Sequence, residues 1–208
     1  AKSAAADADI AVVFAGLPLH YESEGIDRTH IHLPPSHNKL ISEVAAAQEN
    51  TVVVLTNGSA VDMPWAADVP GIVESWLGGQ AGAGAVADVI FGKVNPSGKL
   101  SETFPVRLED TPAYMNFPGE EGNVLYGERM FVGYRYYDER NIAPLFPFGH
   151  GLSYTDFAYS GLETSATEFT DKEGLTVSLE VKNTGDVAGK EVVRSEEHTS
   201  ELQSLSHI

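Results

Sequence analysis

The sequence predicts an α/β fold: a three-layer α/β/α sandwich with a mostly parallel sheet, followed by an incomplete all-β sandwich. Short, continuous apolar runs that end in turn residues, "IAVVFAG" and "TVVVLTNG", are typical of strands buried on both faces of a parallel sheet. Segments with helical spacing alternate with these runs, which is the order expected of an α/β layer. From residue 157 onward the apolar period shortens to two, as in half-buried strands.

Each element has its own local signal. In the first predicted helix Ser36 fits the N-cap, and Leu40, Ile41 and Val44 recur at helical spacing. The predicted order is strand, helix, strand, strand, helix and strand, formed in turn by "IAVVFAG", "PPSHNKLISEVAAAQEN", "TVVVLTNG", "PGIVESWLGG", "QAGAGAVADVIFG" and "GKLSETFP".

Three authentic segments are expected along the chain. Residues 1–105 form the α/β sandwich, 106–156 an aromatic-rich connector that completes it, and 157–193 the start of an all-β domain. Tyr114 to Tyr159 contains twelve of the nineteen Phe, Tyr and Trp residues, which indicates a long ordered segment packed on something large. "GLTVSLEVKNTGD" alternates as a half-buried strand, but the roughly seven strands of a sandwich do not fit before residue 208.

The last fifteen residues are interpreted separately. "RSEEHTSELQSLSHI" lacks alternation where another strand should run on, and Arg194 to Ser204 is similar to an in-frame translation of a widely used sequencing adapter. We interpret residues 194–208 as an adapter-derived artefact and exclude them from the fold. His198 and His207 therefore receive no functional weight.

Composition excludes some classes of partner. The 208 residues include 30 acidic and 13 basic side chains, a net charge of −17, which argues against nucleic acid or an anionic membrane surface as a partner. A neutral substrate such as a sugar is compatible with this charge. The absence of cysteine excludes disulfides and thiolate metal sites. No apolar stretch approaches a membrane span and the N-terminus lacks the apolar core of a signal peptide, so localisation stays open between secreted and cytoplasmic.

The charged loop "LHYESEGIDRTHIHLPPSH" follows the first predicted strand, at the sheet edge where active loops of such folds lie. Glu22 and Glu24 are two residues apart, so in an extended segment both side chains leave on the same side. Gly25 permits a turn, and Asp27 and Arg28 can pair or hold the loop to its neighbours. Spacing alone favours a solvated loop, but a catalytic loop that offers a carboxyl group as general acid stays open.

A glycine-rich run raises a second hypothesis. Gly82, Gly84 and Ala87 satisfy the G-x-G-x-x-[GA] pattern between a predicted strand and a predicted helix, and Glu102 follows at about the distance of a ribose-binding acid. A dinucleotide site is therefore one interpretation. The other, which the alanine-rich context favours, is a helix packed closely on the sheet.

Histidines in the charged loop raise a third hypothesis, a metal site. His30 and His32 are two residues apart, a spacing compatible with two metal ligands on one strand, and His20 and His37 flank them. No further ligand of a suitable kind lies near in sequence. The pattern favours a histidine-bearing surface loop over a metal site.

Six stretches of the chain can be considered together. They are "ESEGIDR", "LPPSHNKLISEV", "VVVLTNGSAVDMPW", "ESWLGGQAGAGAVADVIFGKVNPSGKLSETFP", "FVGYRYYD" and "PLFPFGHGLSYTDFAYS". Taken together, they resemble the C-terminal part of glycoside hydrolase family 3, the β-glucosidase group. The resemblance covers Ile10 to Val193, and six matches in the family's order are far more specific than any one of them.

The resemblance implies that the two catalytic groups lie on different domains. In that family an N-terminal β/α barrel carries the nucleophilic aspartate, a following α/β sandwich carries the acid/base glutamate, and many members append a fibronectin type III-like domain. By this resemblance residues 157–193 are a truncated fibronectin type III-like domain, and the barrel lies outside this chain. The glycine-rich run is then a packing element, so no cofactor and no metal are expected.

The family's acid/base lies in an E-G-hydrophobic/aromatic-D-R context, matched here by Glu24-Gly25-Ile26-Asp27-Arg28. Isoleucine stands where many relatives have tyrosine. The resemblance therefore implies that Glu24 is the acid/base, with Glu22 as the fallback and Asp27 and Arg28 as loop support.

The implied activity is retaining hydrolysis of terminal β-D-glycosyl residues, most simply by a β-glucosidase, with a β-glucoside or oligosaccharide as substrate. The barrel of the same protein would be the partner domain, and the fragment alone would be inactive. The alternatives are a β-xylosidase or another exo-glycosidase of family 3, or, in a different class, a non-catalytic sugar- or nucleotide-binding α/β module.

Overall fold

The computed structural model describes residues 1–170 and 172–196. The helices are α1 (Lys2–Ala6), α2 (Pro35–Ala45), α3 (Gly82–Ile90) and α4 (Tyr134–Arg140), and the strands are β1 (Ala11–Gly16), β2 (Thr51–Thr56), β3 (Gly71–Glu74), β4 (Phe157–Thr164) and β5 (Val177–Asn183). Single turns of 3-10 helix lie at Ala66–Asp68 and Leu108–Asp110. Most of the predicted adapter segment, residues 197–208 with its two histidines, lies outside the described residues.

Within the described residues, three strands form a parallel sheet in the order β1-β2-β3. The register pairs Gly16 at the end of β1 with Thr56 at the end of β2. A Cβ at residue 16 would lie 2.0 Å from the Thr56 carbonyl oxygen, so only glycine permits this close approach of the two strand ends. The loops that follow the three strands therefore leave from one edge of the sheet.

The core of this sheet forms where α2 packs on β1 and β2. Ile41 and Val44 on α2 are buried, as are Val53 and Leu55 on β2. These apolar side chains are removed from water on both elements, which stabilises the layer by roughly 1.5–3 kcal/mol per side chain. The predicted parallel α/β fold is confirmed.

Strand β1 differs from its prediction. The continuous apolar run predicts burial on both faces, but burial alternates: Val13 and Ala15 are buried, whereas Val12 is exposed and Phe14 is 66% exposed. The reason is that the described residues cover one face of β1, and Val12 and Phe14 lie on the other face. Strand β2, with a neighbour on each side, is buried along nearly its whole length.

The chain divides into two compact units. One comprises residues 1–86 and 100–150, and the other comprises residues 87–99 and 151–196. In the second, β4 and β5 pair antiparallel, with an irregularity in the register between Ser160 and Glu163. This small sheet confirms the predicted change to all-β structure. The domain boundaries predicted at residues 105, 156 and 193 stay a prediction.

Two local predictions need correction, and one helix was missed. Helix α2 begins at Pro35 after Pro34, so Ser36 lies inside the helix and does not cap it; proline is well suited to the first helical position because its missing N–H has no partner there. "GKLSETFP" forms an isolated bridge between Phe104 and Phe146 and not a strand. Helix α4 lies in the predicted connector and was not expected. No helix among the described residues has the length and apolar character needed to cross a membrane.

Candidate active site

The charged loop after β1 is fixed to the turn after β2 by Glu22. One carboxylate oxygen of Glu22 accepts a hydrogen bond from the Gly58 N–H at 2.7 Å, and the other accepts one from the Ser59 hydroxyl at 2.9 Å. A carboxylate that accepts two hydrogen bonds is held in one orientation. Glu22, the fallback acid/base, is thus committed to holding the loop.

Arg28 fixes the other side of the same loop. Its Nη2 donates to the Ser59 hydroxyl at 2.7 Å and to the Ala60 carbonyl at 2.9 Å. Desolvation lowers the pKa of Arg28, and the negative charges of Glu22 and Glu102 oppose that decrease. A guanidinium stays protonated at neutral pH nonetheless, so Arg28 is a permanent positive charge within the loop.

Between these two anchors the chain makes a tight turn that presents Glu24. The Ile26 N–H donates to the Ser23 carbonyl at 3.4 Å, which places Glu24 and Gly25 at the two central positions. Gly25 has a φ of 77° while Glu24 keeps an ordinary negative φ, the combination of a type II turn, in which the second central position requires glycine. Glu24 and Asp27 are exposed. The fold therefore separates the three acidic residues of the loop into one anchor and two exposed side chains.

Substitution of Gly25 by alanine tests this turn. No atom lies within 4 Å of a Cβ at this position, so the expected destabilisation, about 1–2 kcal/mol, comes from the left-handed backbone alone. Urea unfolding followed by circular dichroism measures it. The matched control is Gly84→Ala in α3, where a Cβ also meets open space but φ is not positive. Equal stability of the two variants would contradict the assigned turn.

Two further carboxyl groups lie at this edge of the sheet. Glu74 ends β3, and burial raises its pKa to about 7 against the opposing effect of hydrogen bonds from Trp76 and Asn57. Burial likewise raises the pKa of Glu102, which accepts a hydrogen bond from the Ala60 backbone. Sequence reasoning missed Glu74. The sequence feature that could have identified Glu74 is its place at the carboxyl end of a predicted parallel strand, the edge of the sheet where the loop that carries Glu24 also lies.

Comparison with known proteins identifies the family. The sequence profile described as "Glycosyl hydrolase family 3 C-terminal domain" matches residues 1–154. The chain belongs to glycosyl hydrolase family 3. Among its relatives are thermostable beta-glucosidase B of Acetivibrio thermocellus, 59% identical over 194 residues, and probable beta-glucosidase I of Aspergillus terreus, 51% identical over 199 residues. Each alignment covers 93% of this chain but only 26% and 24% of the relative.

Solved structures agree with this assignment. The GH3 beta-glucosidase of Bifidobacterium adolescentis superposes with a TM-score of 0.82 at 51% identity, over 88% of this chain and 27% of the other. The beta-glucosidase of Kluyveromyces marxianus in complex with glucose gives a TM-score of 0.81 at 42% identity, over 89% of this chain and 22% of that one. This family 3 chain therefore spans about a quarter of the length of the relatives that it matches.

The histidines of the family 3 loop form a stacked cluster. The rings of His30 and His32 stack with centroids 5.2 Å apart, and His30 Nδ1 accepts a hydrogen bond from the His32 N–H. His32 Nδ1 is hydrogen bonded to the Asp62 carboxylate, and Tyr21 meets His30 edge-on. Across residues 1–170 and 172–196, no three His, Cys, Asp or Glu side chains lie close enough together to hold a metal ion.

The glycine-rich run forms the start of α3. A Cβ on Gly82 or Gly84 would meet no atom within 4 Å, so close packing within the described residues does not account for these two glycines. Glu102, the ribose-binding candidate, contacts the Ala60 backbone and lies near Arg28. Its partners are therefore the turn after β2 and the charged loop.

Proposed function

We propose that this chain is the acid/base half of a retaining β-glucosidase, with Glu24 as the general acid/base. The observation that carries the proposal is the unequal treatment of the two glutamates in the loop. Glu22 is engaged by Gly58 and Ser59, whereas Glu24 is exposed at the centre of a turn anchored on both sides. A proton donor must reach a substrate atom, so the exposed carboxyl group suits that role. The names of the relatives support glucosides as the substrates.

The proposed reaction divides between two domains. An aspartate on the barrel, elsewhere in the protein, attacks the anomeric carbon while protonated Glu24 gives its proton to the departing oxygen. The Glu24 carboxylate then removes a proton from the water that hydrolyses the glycosyl-enzyme. The two carboxyl groups of a retaining enzyme are about 5–5.5 Å apart, so the turn that carries Glu24 must be held rigidly. The chain by itself is then inactive, because it supplies one of the two groups.

Glu22 and Arg28 provide that rigidity in the proposed site. They hold the loop from opposite sides of the turn through the shared Ser59 hydroxyl. Misplacement of a catalytic group by about 1 Å can lower a rate by about 10²-fold. Asp27 follows the turn as an exposed side chain, and we assign it no role in proton transfer.

The test uses a chimera in which residues 1–193 replace the matching segment of thermostable beta-glucosidase B. Glu24→Gln should lower kcat/KM on cellobiose by about 10²–10⁴-fold and change the free energy of unfolding by less than about 0.5 kcal/mol. Glu22→Gln removes one acceptor oxygen and should cost about 1–2 kcal/mol of stability. Exposed Glu49→Gln is the matched control and should change neither quantity. The proposal fails if the chimera folds without activity, or if Glu24→Gln retains full activity.

A further inference from the structure

We propose that Glu74 is a positioning residue for the acid/base, which acts through Asn57 on the turn at residues 57–60. The inference rests on the proposed function of Glu24 and extends it to a buried residue of the neighbouring strand. Glu74 holds the turn to which the charged loop is fastened.

Glu74 and Asn57 link β3 to the turn after β2. Glu74 is paired with Leu55 in the parallel register, so its side chain lies beside the chain that leaves β2. The side-chain amide of Asn57, which is 0% exposed, donates from Nδ2 to Glu74 Oε2 at 3.2 Å and to the Ser59 carbonyl at 3.1 Å. One buried amide group therefore closes the turn and ties it to β3.

Hydrogen bonds link the turn at residues 57–60 to the charged loop. Gly58 and Ser59, the residues closed into the turn by Asn57, are the donors to the Glu22 carboxylate. Arg28 contacts the Ser59 hydroxyl as well. A shift of the turn must therefore move both anchors of the loop at once, and Glu24 lies between them. The connection from Glu74 to Glu24 is a continuous set of hydrogen bonds and one short stretch of backbone.

Two N–H donors explain why a carboxylate stands at residue 74. Glu74 Oε1 accepts a hydrogen bond from the Trp76 N–H at 2.8 Å while Oε2 accepts from Asn57, an arrangement that needs two acceptor oxygens. Trp76 has a φ of 51°, the left-handed region that a bulky residue adopts only when its surroundings hold it there. Burial makes the charge costly, as the pKa of about 7 indicates. An apolar residue would leave the Asn57 amide and the Trp76 N–H without this acceptor, so the carboxylate serves to hold the turn in place.

A double-mutant cycle in the chimera tests the inference. Glu74→Gln is nearly isosteric but leaves one of the two N–H donors without an acceptor, and Asn57→Ala removes the amide itself. Each single variant should lower kcat/KM for methyl β-glucoside, which needs a proton donor, by about tenfold. Neither should change kcat/KM for 2,4-dinitrophenyl β-glucoside by more than about twofold, because that leaving group departs without a proton. The double variant should match Asn57→Ala alone. Glu49→Gln serves as the matched control.

The outcomes separate this inference from the function on which it rests. Equal losses on both substrates would indicate general damage to the fold and would overturn the positioning role. Additive losses in the double variant would show that Glu74 does not act through Asn57. When Glu74→Gln is combined with Glu24→Ala, it should cause no further decrease in kcat/KM for methyl β-glucoside. If Glu24→Ala lowers kcat/KM much more for methyl β-glucoside than for 2,4-dinitrophenyl β-glucoside and Glu74→Gln has no effect, the inference alone fails. If Glu24→Ala lowers kcat/KM equally for the two substrates, the proposed function fails as well.

Discussion

Replacement of Glu24 by alanine in the chimera is expected to lower kcat/KM for methyl β-glucoside by about 10²–10⁴-fold, the usual contribution of general acid catalysis. The loss should shrink to less than about tenfold for 2,4-dinitrophenyl β-glucoside, because an activated leaving group departs without protonation. The exposed position of Glu24 means that truncation leaves no cavity and no unpaired buried group. Folding should therefore be unaffected, so the loss reports chemistry.

The controls for this result lie in the same loop. Asp27→Ala truncates a second exposed carboxylate three residues away and should keep the leaving-group dependence of the unmodified chimera. Glu22→Gln should lower kcat/KM for methyl β-glucoside by less than Glu24→Ala does, because it loosens the loop and does not remove the proton donor. A leaving-group dependence that appears with Glu22→Gln and is absent with Glu24→Ala would reverse the assignment of the two glutamates.

The second large effect is expected in the core. Trp65 is 1% exposed and its indole N–H donates to the Asn38 side-chain oxygen at 2.9 Å, which joins the segment after β2 to α2. Trp65→Ala should lower the free energy of unfolding by about 3–5 kcal/mol, the range for truncating a large buried aromatic residue. A loss of this size is a large share of the stability of an ordinary domain. Urea unfolding followed by circular dichroism measures it.

Two variants make the cause of that loss specific. Trp65→Phe keeps most of the volume but leaves the Asn38 oxygen without its donor, and should cost about 1–3 kcal/mol. Phe91→Ala truncates an aromatic residue that is 78% exposed and should change stability by no more than about 0.5 kcal/mol. If Trp65→Ala were as mild as Phe91→Ala, the packing described for this segment would be wrong.

The parallel part of the fold was predictable because its signals are local. Continuous apolar runs closed by turn residues gave β1 and β2 to within two residues, and the period of the intervening segment gave α2. The exposure of Phe14 was not predictable, because a run of apolar residues does not say which face of the strand the rest of the chain covers. Helix α4 was missed for a related reason: its seven residues are too few for a periodic signal.

The residues of the candidate site also differ in how far the sequence could predict them. Gly25 could be assigned to a turn from its lack of a side chain, whereas Glu24 was singled out by the resemblance of residues 24–28 to the family motif. The roles of Glu22 and Arg28 depend on Ser59, more than thirty residues further along the chain. Glu74 depends on register, since only the pairing of β3 with β2 brings it beside Asn57. Long-range contacts of this kind carry no local pattern in a single sequence.

The most direct test of Glu24 as the acid/base is the product that Glu24→Ala forms in the presence of sodium azide. With no general base to activate water, the small anion should occupy the space of the missing carboxylate and attack the glycosyl-enzyme. The account predicts that 2,4-dinitrophenyl β-glucoside yields β-glucosyl azide, identified by proton NMR, with faster turnover than without azide. Formation of glucose alone, at a rate that azide does not change, would contradict it.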